Sequence, residues 1–423
     1  MKPSRRQVLK ALGVVGLSQA LFPSWMPRMV FAPPSVQAQD SSNEHDILVV
    51  IFQRGGMDGL NTIVPFGEGA AYYDKRPTIA IAAPDGRDTS AIDLNGFFGL
   101  HPSLRPLKDI YDANGLSIVH GAGSPDPTRS HFDAMEYMER GIPGDKMTGT
   151  GWINRHLQSA AWENGSPFRA IGMGTLLPAS LRGPISALAM KSITDFHLGG
   201  RSEQLSGIQN TLSRLYTLPT TGDMLETQAS SVFSVIDMLK QFSAIEYVAD
   251  HGATYPETEF GMGLRQIAQL IKAEVGLEVG CVDIGGWDTH DNQGGAQGAM
   301  SDLLSDFAQG LAAFNADMGE VWMKHITVVS MSEFGRTAVE NASAGTDHGR
   351  ASCMFVMGAG ATGGVHARWQ GLHTAALDEG DLAVTTDYRD VIAEILLKRV
   401  QNTSLETIFP GYTPNLTDII ASR

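Results

Sequence analysis

The sequence predicts a layered α/β fold around a mostly parallel sheet. Two observations predict it. Four apolar runs, Ile47–Phe52, Leu116–Val119, Val279–Ile284 and Ile326–Met331, are near-continuous rather than alternating, as in strands buried on both faces. Stretches of helical periodicity separate these runs, and strands that alternate with helices pair in parallel. The 47 glycines add tight loops at the strand ends.

The chain opens on MKPSRRQVLK, with Arg5 and Arg6 paired ahead of a short apolar run, Ala11 to Phe22. This is the layout of a signal peptide, and the paired arginines match the twin-arginine export signal. Residues 1–38 are therefore assigned as a leader, and 39–423 as one domain. The apolar run is too short for the ~20 residues that a membrane span needs. The leader holds Lys2, Arg5, Arg6, Lys10 and Arg28 and no acid. Of 31 basic and 46 acidic residues overall, 26 and 46 remain after its removal, a net of −20. So acidic a surface repels nucleic acid and anionic lipid.

A polar linker precedes the strand Ile47–Phe52, which ends in a glycine turn. Residues 65–100, rich in Pro and Gly, read as an irregular insertion with a short hairpin in Thr78–Ala82. Residues 101–115 read as a helix closed by Asn114-Gly115. The strand LSIVHGAG follows, then a helix opening at Ser130 with Phe132, Met135 and Met138 on related faces. Residues 141–225, with clustered Gly, Pro and Thr, read as a cap or loop-rich insertion. Helices are expected over Met224–Ala249 and Thr258–Ala273. The remainder alternates: strand LEVGCVDIGG, helix 295–319, strands HITVVSMSEFG and SCMFVMGAG, and an amphipathic helix over 385–400. Cys281 and Cys353 fall inside strands, which predicts buried free thiols.

Open α/β sheets bind ligands outside the carboxyl ends of their strands. The polar residues just past each predicted strand are therefore the candidates. After the first come Gln53, Arg54, Asp58 and Asn61; after the second, His120, Arg129, Ser130 and His131. The third is followed by GWDTHDNQ, with Asp288 and His290, and the fourth by Glu333, Arg336, Asp347 and His348. Carboxylates mixed with imidazoles suit a divalent metal: zinc, manganese or iron, with oxygen-rich subsites able to take magnesium or calcium. Asp58, His131, Asp288, His290, Glu333, Asp347 and His348 are the candidate ligands. Ser130, at a helix start where N–H groups and the dipole favour an anion, is the candidate nucleophile. A structural N-cap is the competing role for it. Arg54, Arg129 and Arg336 are candidates to neutralise a phosphate or sulfate.

Six segments carry a resemblance to a known exported bacterial family. They are the twin-arginine leader, Phe52–Asn61 (FQRGGMDGLN), Arg129–Phe132 (RSHF), Gly286–His290 (GWDTH), Ser332–Thr337 (SEFGRT) and Thr346–Gly349 (TDHG). Together they resemble the domain of unknown function 1501 family, which is grouped with the alkaline phosphatase and sulfatase superfamily. The resemblance implies a three-layer α/β/α sandwich with a central, mostly parallel sheet and a two-metal site. It implies metal roles for Asp288 with His290 and for Asp347 with His348, a nucleophile at Ser130, and a last metal histidine at His366. That superfamily's first metal carboxylate directly follows its first strand, where Gln53-Arg54-Gly55 stands here; Asp58 is the candidate further on. The expected function is thus hydrolysis of small anionic esters by an exported protein, periplasmic or extracellular, delivered by the twin-arginine machinery. An inactive binding or assembly protein on the same scaffold is the alternative.

Overall fold

A computed structural model describes residues 46–161, 164–193 and 247–423. The leader, the linker and most of the expected helix Met224–Ala249 lie outside the described residues. The main sheet has nine strands: β1 (Ile47–Arg54), β2 (Leu116–Gly123), β3 (Ala170–Met173), β4 (Leu188–Met190), β5 (Val279–Gly285), β6 (Ile326–Met331), β7 (Ser352–Gly358), β8 (Gly364–Ala367) and β9 (Thr386–Asp387). Their spatial order is β8-β2-β7-β6-β1-β5-β3-β4, with β9 continuing along the edge of β2. All pairings are parallel except those of β7, which runs antiparallel to both neighbours. β1 lies between β5 and β6, with Val50 opposite Cys281 and Val329.

The unbroken apolar run of β1 has a direct cause, since both faces of the strand are covered. Ile47, Val49 and Ile51 pack into a core with Leu264 and Ile267 of α3 (Glu259–Lys272) and Leu304 and Phe307 of α4 (Ala299–Met323). Leu48, Val50 and Phe52 point the other way. They meet Met138 of α1 (His131–Arg140), Ile153 of α2 (Trp152–Ser159) and Ile392 of α5 (Tyr388–Lys398). Each such side chain contributes roughly 1.5–3 kcal/mol on burial. Two helical layers on one sheet make the expected three-layer α/β/α sandwich. The helix expected over 258–273 forms as α3, and Thr258 caps it by accepting from the Gly261 N–H at 3.0 Å. Cys281 and Cys353 are buried and free.

Two expectations about insertions can be set beside the described residues. Of the segment 141–225, residues 194–225 lie outside them, and the described part supplies α2 and the strands β3 and β4 at one side of the main sheet. These strands span only four and three residues, too few for an apolar run to stand out between glycines and prolines. Within 65–100 no Thr78–Ala82 hairpin forms, and Ala82 makes only an isolated parallel bridge to Ser90. That segment instead adds Ile92–Asp93 and Gly99–Leu100 to Ile63–Val64 as a small three-stranded sheet. No helix among the described residues is long and apolar enough to cross a membrane.

Candidate metal centre

β1, β5 and β6 are neighbours, so the loops leaving their carboxyl ends meet at one edge. β1 ends in the turn Gly55-Gly56, whose φ angles of 123° and 71° favour glycine. A Cβ on Gly55 would also lie 2.7 Å from the Asp288 nitrogen. The Gly55 N–H donates to Glu333 (2.8 Å), while the carbonyls of Gly55 and Gly56 accept from Arg336. The two later loops, GWDTHDNQ and GTDHGRA, lie backbone against backbone. Gly345 is needed there, because a Cβ on it would stand 2.1 Å from the His290 carbonyl oxygen.

Three histidines converge on one carboxylate oxygen. Asp288 Oδ1 lies 3.0 Å from His290 Nε2, 3.1 Å from His348 Nε2 and 3.3 Å from His131 Nε2. Atoms of His131, Asp288 and His348 lie within 4.8 Å of one another, and His290 Nε2 is 2.9 Å from His348 Nε2. The far nitrogen of each ring decides what the near one offers. His131 Nδ1 faces Glu333 Oε1 (2.7 Å), His290 Nδ1 faces Asp347 Oδ1 (2.9 Å), and His348 Nδ1 faces the Arg129 carbonyl (2.8 Å). Each of these partners is an acceptor, so each Nδ1 carries the hydrogen, a tautomer assigned from the partners. In the neutral rings all three Nε2 atoms then present lone pairs inward. His131 Nε2 is a buried atom with no hydrogen-bond partner. Lone pairs facing across 2.9 Å beside a carboxylate repel unless a cation lies among them, and three imidazoles with one carboxylate suit one divalent ion. Imidazoles anchored by carboxylates or carbonyls are the usual outer support of such sites.

The electrostatics agree. Burial opposes ionisation of Asp288, but the hydrogen bond and the charge of Arg336 outweigh it and hold the carboxyl well below the usual range. The hydrogen bond to Glu333 raises the His131 pKa against the effect of partial burial, whereas burial lowers that of His348. Phe334 packs on both rings, with centroids 4.8 Å from His131 and 4.9 Å from His348.

The remaining candidates have other places. Glu333 is buried and orients His131, and Asp347 orients His290; neither reaches inward. Asp58 is not at the centre. It is buried in a paired contact with Arg76 (2.5 and 3.0 Å) and caps the turn at Leu60. His366 lies on β8 at the edge of the sheet, four strands from β1, with its Nε2 on the Gly363 carbonyl. At ~4.8 Å per strand it stands far from the His131 group. Arg54 is committed to Asp283 (2.6 Å) and Glu139 (3.2 Å). Burial disfavours its charge, but the two carboxylates more than compensate and raise its pKa. Arg336 is fully buried, and its donors go to Asp288 and to the carbonyls of Gly55, Gly56, Trp287 and Thr346. It braces the loops and does not face solvent. Ser130 is exposed at the start of α1, and its hydroxyl caps no helix N–H. A cleft of about 280 Å³ adjoins the centre, lined by Arg129, Asn341, Asp347 and Asp381 among others. Sequence reading overlooked the Arg129 carbonyl, Asn341 and Phe334. A backbone acceptor has no residue signature, and Phe334 reads as core.

A layered α/β protein with a histidine-rich centre at the carboxyl ends of its strands is the class so defined. Residues 115–405, more than half of the chain, match the family described as "Protein of unknown function (DUF1501)", and the chain belongs to that family. No curated protein matches it. Among solved structures, the chain is similar to the C-terminal periplasmic domain of EcEptC from Escherichia coli, in complex with zinc. That likeness has 10% identity and TM-score 0.38 over 91% of this chain and 92% of the other. The lipoteichoic acid synthase LtaP from Listeria monocytogenes gives 8% identity and TM-score 0.30, over 83% and 78%. An alkaline phosphatase from the Antarctic bacterium TAB5 gives 10% and 0.28, over 77% and 95%.

Proposed function

We propose that this chain is an exported, metal-dependent hydrolase of phosphate or sulfate esters, with one divalent ion held by His131, Asp288, His290 and His348. The observation that carries the reading is the set of three inward Nε2 lone pairs around Asp288 Oδ1. Three imidazole donors favour zinc, or manganese, over magnesium and calcium, which prefer oxygen. The ion supplies Lewis acidity toward an ester oxygen. The protein's own groups do the rest. The N-terminal N–H groups of α1 favour an anion beside Ser130, whose hydroxyl caps no helix N–H and is the nucleophile of this reading: its oxygen would bond to phosphorus or sulfur as the alcohol leaves with a proton, and water would then release the acid and restore the serine. Glu333 and Asp347 hold two imidazoles in register. The adjoining cleft receives the rest of the substrate. Residues 1–38 serve as the leader; twin-arginine export carries folded chains, which fits metal loading before passage.

Purified mature protein is expected to hold about one equivalent of metal by elemental analysis, and its absence overturns the reading. Ser130→Ala should keep that metal and lose turnover by on the order of 10³-fold or more across phosphate and sulfate esters. Full activity in that variant removes Ser130 from the chemistry. One observation favours a second reading, a metal-binding protein without turnover: Arg54 and Arg336, expected to meet an anion, are both sequestered. A fully loaded chain inert toward every ester would establish that reading.

Metal affinity should also depend on pH. The raised His131 pKa lets a proton compete for Nε2, so zinc affinity rises with pH through and above the ordinary histidine range of about 6.5. Asp288, held ionised, adds no slope there. Zinc titrations across that range check the sign. Affinity independent of pH would place the metal elsewhere.

A further inference from the structure

We infer that Gln293 is a positioning residue of this centre, one amide that sets the spacing between the two ligand loops; the inference rests on the metal-binding reading above. Gln293 ends the GWDTHDNQ stretch and is fully buried. Its Oε1 accepts from Thr289 Oγ1 at 3.0 Å and from Thr346 Oγ1 at 2.6 Å. Thr289 stands between Asp288 and His290, and Thr346 immediately precedes Asp347 and His348. One carbonyl oxygen thus joins the loop that carries two ligands to the loop that carries a third. The amide nitrogen donates to Asp58 Oδ2 at 2.7 Å. Asp58 is fixed in turn by both terminal nitrogens of Arg76, itself fully buried. The two loops are therefore tied to each other and to the turn after β1.

Only an amide meets these demands in a site with no access to water. It must donate to a carboxylate on one side and accept from two hydroxyls on the other. Glutamate would set a carboxylate against Asp58, and an aliphatic side chain would strand the Thr346 hydroxyl and leave Thr289 only the longer contact to the Trp287 carbonyl at 3.4 Å. This gives Asp58 a role that its position in the sequence did not predict: it anchors the centre through Gln293 and does not ligate the metal.

The test uses the full-length chain, zinc with a competing chelator, and melting of the metal-free protein. Gln293→Ala and Gln293→Glu should each weaken zinc binding by ~10–100-fold, the usual effect of losing an outer support. The metal-free melting temperature should change far less in proportion. Thr346→Val removes one arm while keeping shape, and should also weaken binding, so the inference stays testable if a Gln293 variant does not fold. Unchanged zinc affinity in the Gln293 and Thr346 variants, with wild type binding normally, overturns the inference and leaves the metal-binding reading standing. So does a loss of affinity that only follows a loss of metal-free stability. A wild-type chain that binds no zinc or other divalent metal overturns the metal-binding reading itself, and the inference with it.

Discussion

A His348→Ala chain is expected to fold and to lose its metal. His348 supplies one of the three Nε2 atoms around Asp288 Oδ1 and is itself only half-buried. Its truncation removes one donor and the ring that packs on Phe334, but breaks no part of the two sandwich cores. Loss of an outer support costs ~10–100-fold in metal affinity, and a direct ligand should cost more. The prediction is therefore graded. His348→Ala and His131→Ala should fall below stoichiometric metal in elemental analysis, and hydrolysis should fall with them. Asp347→Ala and Glu333→Gln should retain metal at weaker affinity, because His290 and His131 keep their rings and lose only orientation. An alanine at 348 that keeps one equivalent of metal would dismiss the assignment. Equal losses in the ligand and support variants would erase the distinction between them.

That distinction marks the boundary of what the sequence conveyed. The sheet was readable because β1, β5 and β6 are largely buried on both faces, which leaves a near-continuous apolar run in each. The edge strands β3 and β4 were not, since three or four residues carry no periodicity. At the centre, the rule that ligands gather past strand ends brought His131, Asp288, His290 and His348 into the candidate set, and the structure places these four together. It brought in Asp58, Glu333 and Asp347 on equal terms. What separates the proposed ligands from the residues that orient them is the direction of a side chain within a loop. That direction depends on partners remote in sequence: Arg76 for Asp58, His131 for Glu333, His290 for Asp347. His366 failed for a different reason. Its place was carried over from the order of motifs along other chains, and here it falls on an edge strand with its ring turned back on the Gly363 carbonyl.

Arg336→Ala should be the most destabilising single change at the centre, at about 3–5 kcal/mol, chiefly because it leaves several buried backbone carbonyls without their donor. The guanidinium is 1% exposed and serves five partners. Four are backbone carbonyls, from both glycines after β1, from Trp287 and from Thr346; the fifth is Asp288 at 2.7 Å. Truncation strands those carbonyls, at ~1–3 kcal/mol for each that water cannot reach. It also releases the carboxylate at the middle of the metal centre. Lysine keeps the charge but lacks the planar fork that spans several acceptors, so Arg336→Lys should recover only part of the loss. Denaturant unfolding of the metal-free chain measures the first effect and zinc titration the second. An arginine reserved for substrate would behave otherwise: stability would be untouched, and only KM for anionic esters would rise. The SEFGRT segment therefore supplies a brace that holds Asp288 toward the imidazoles.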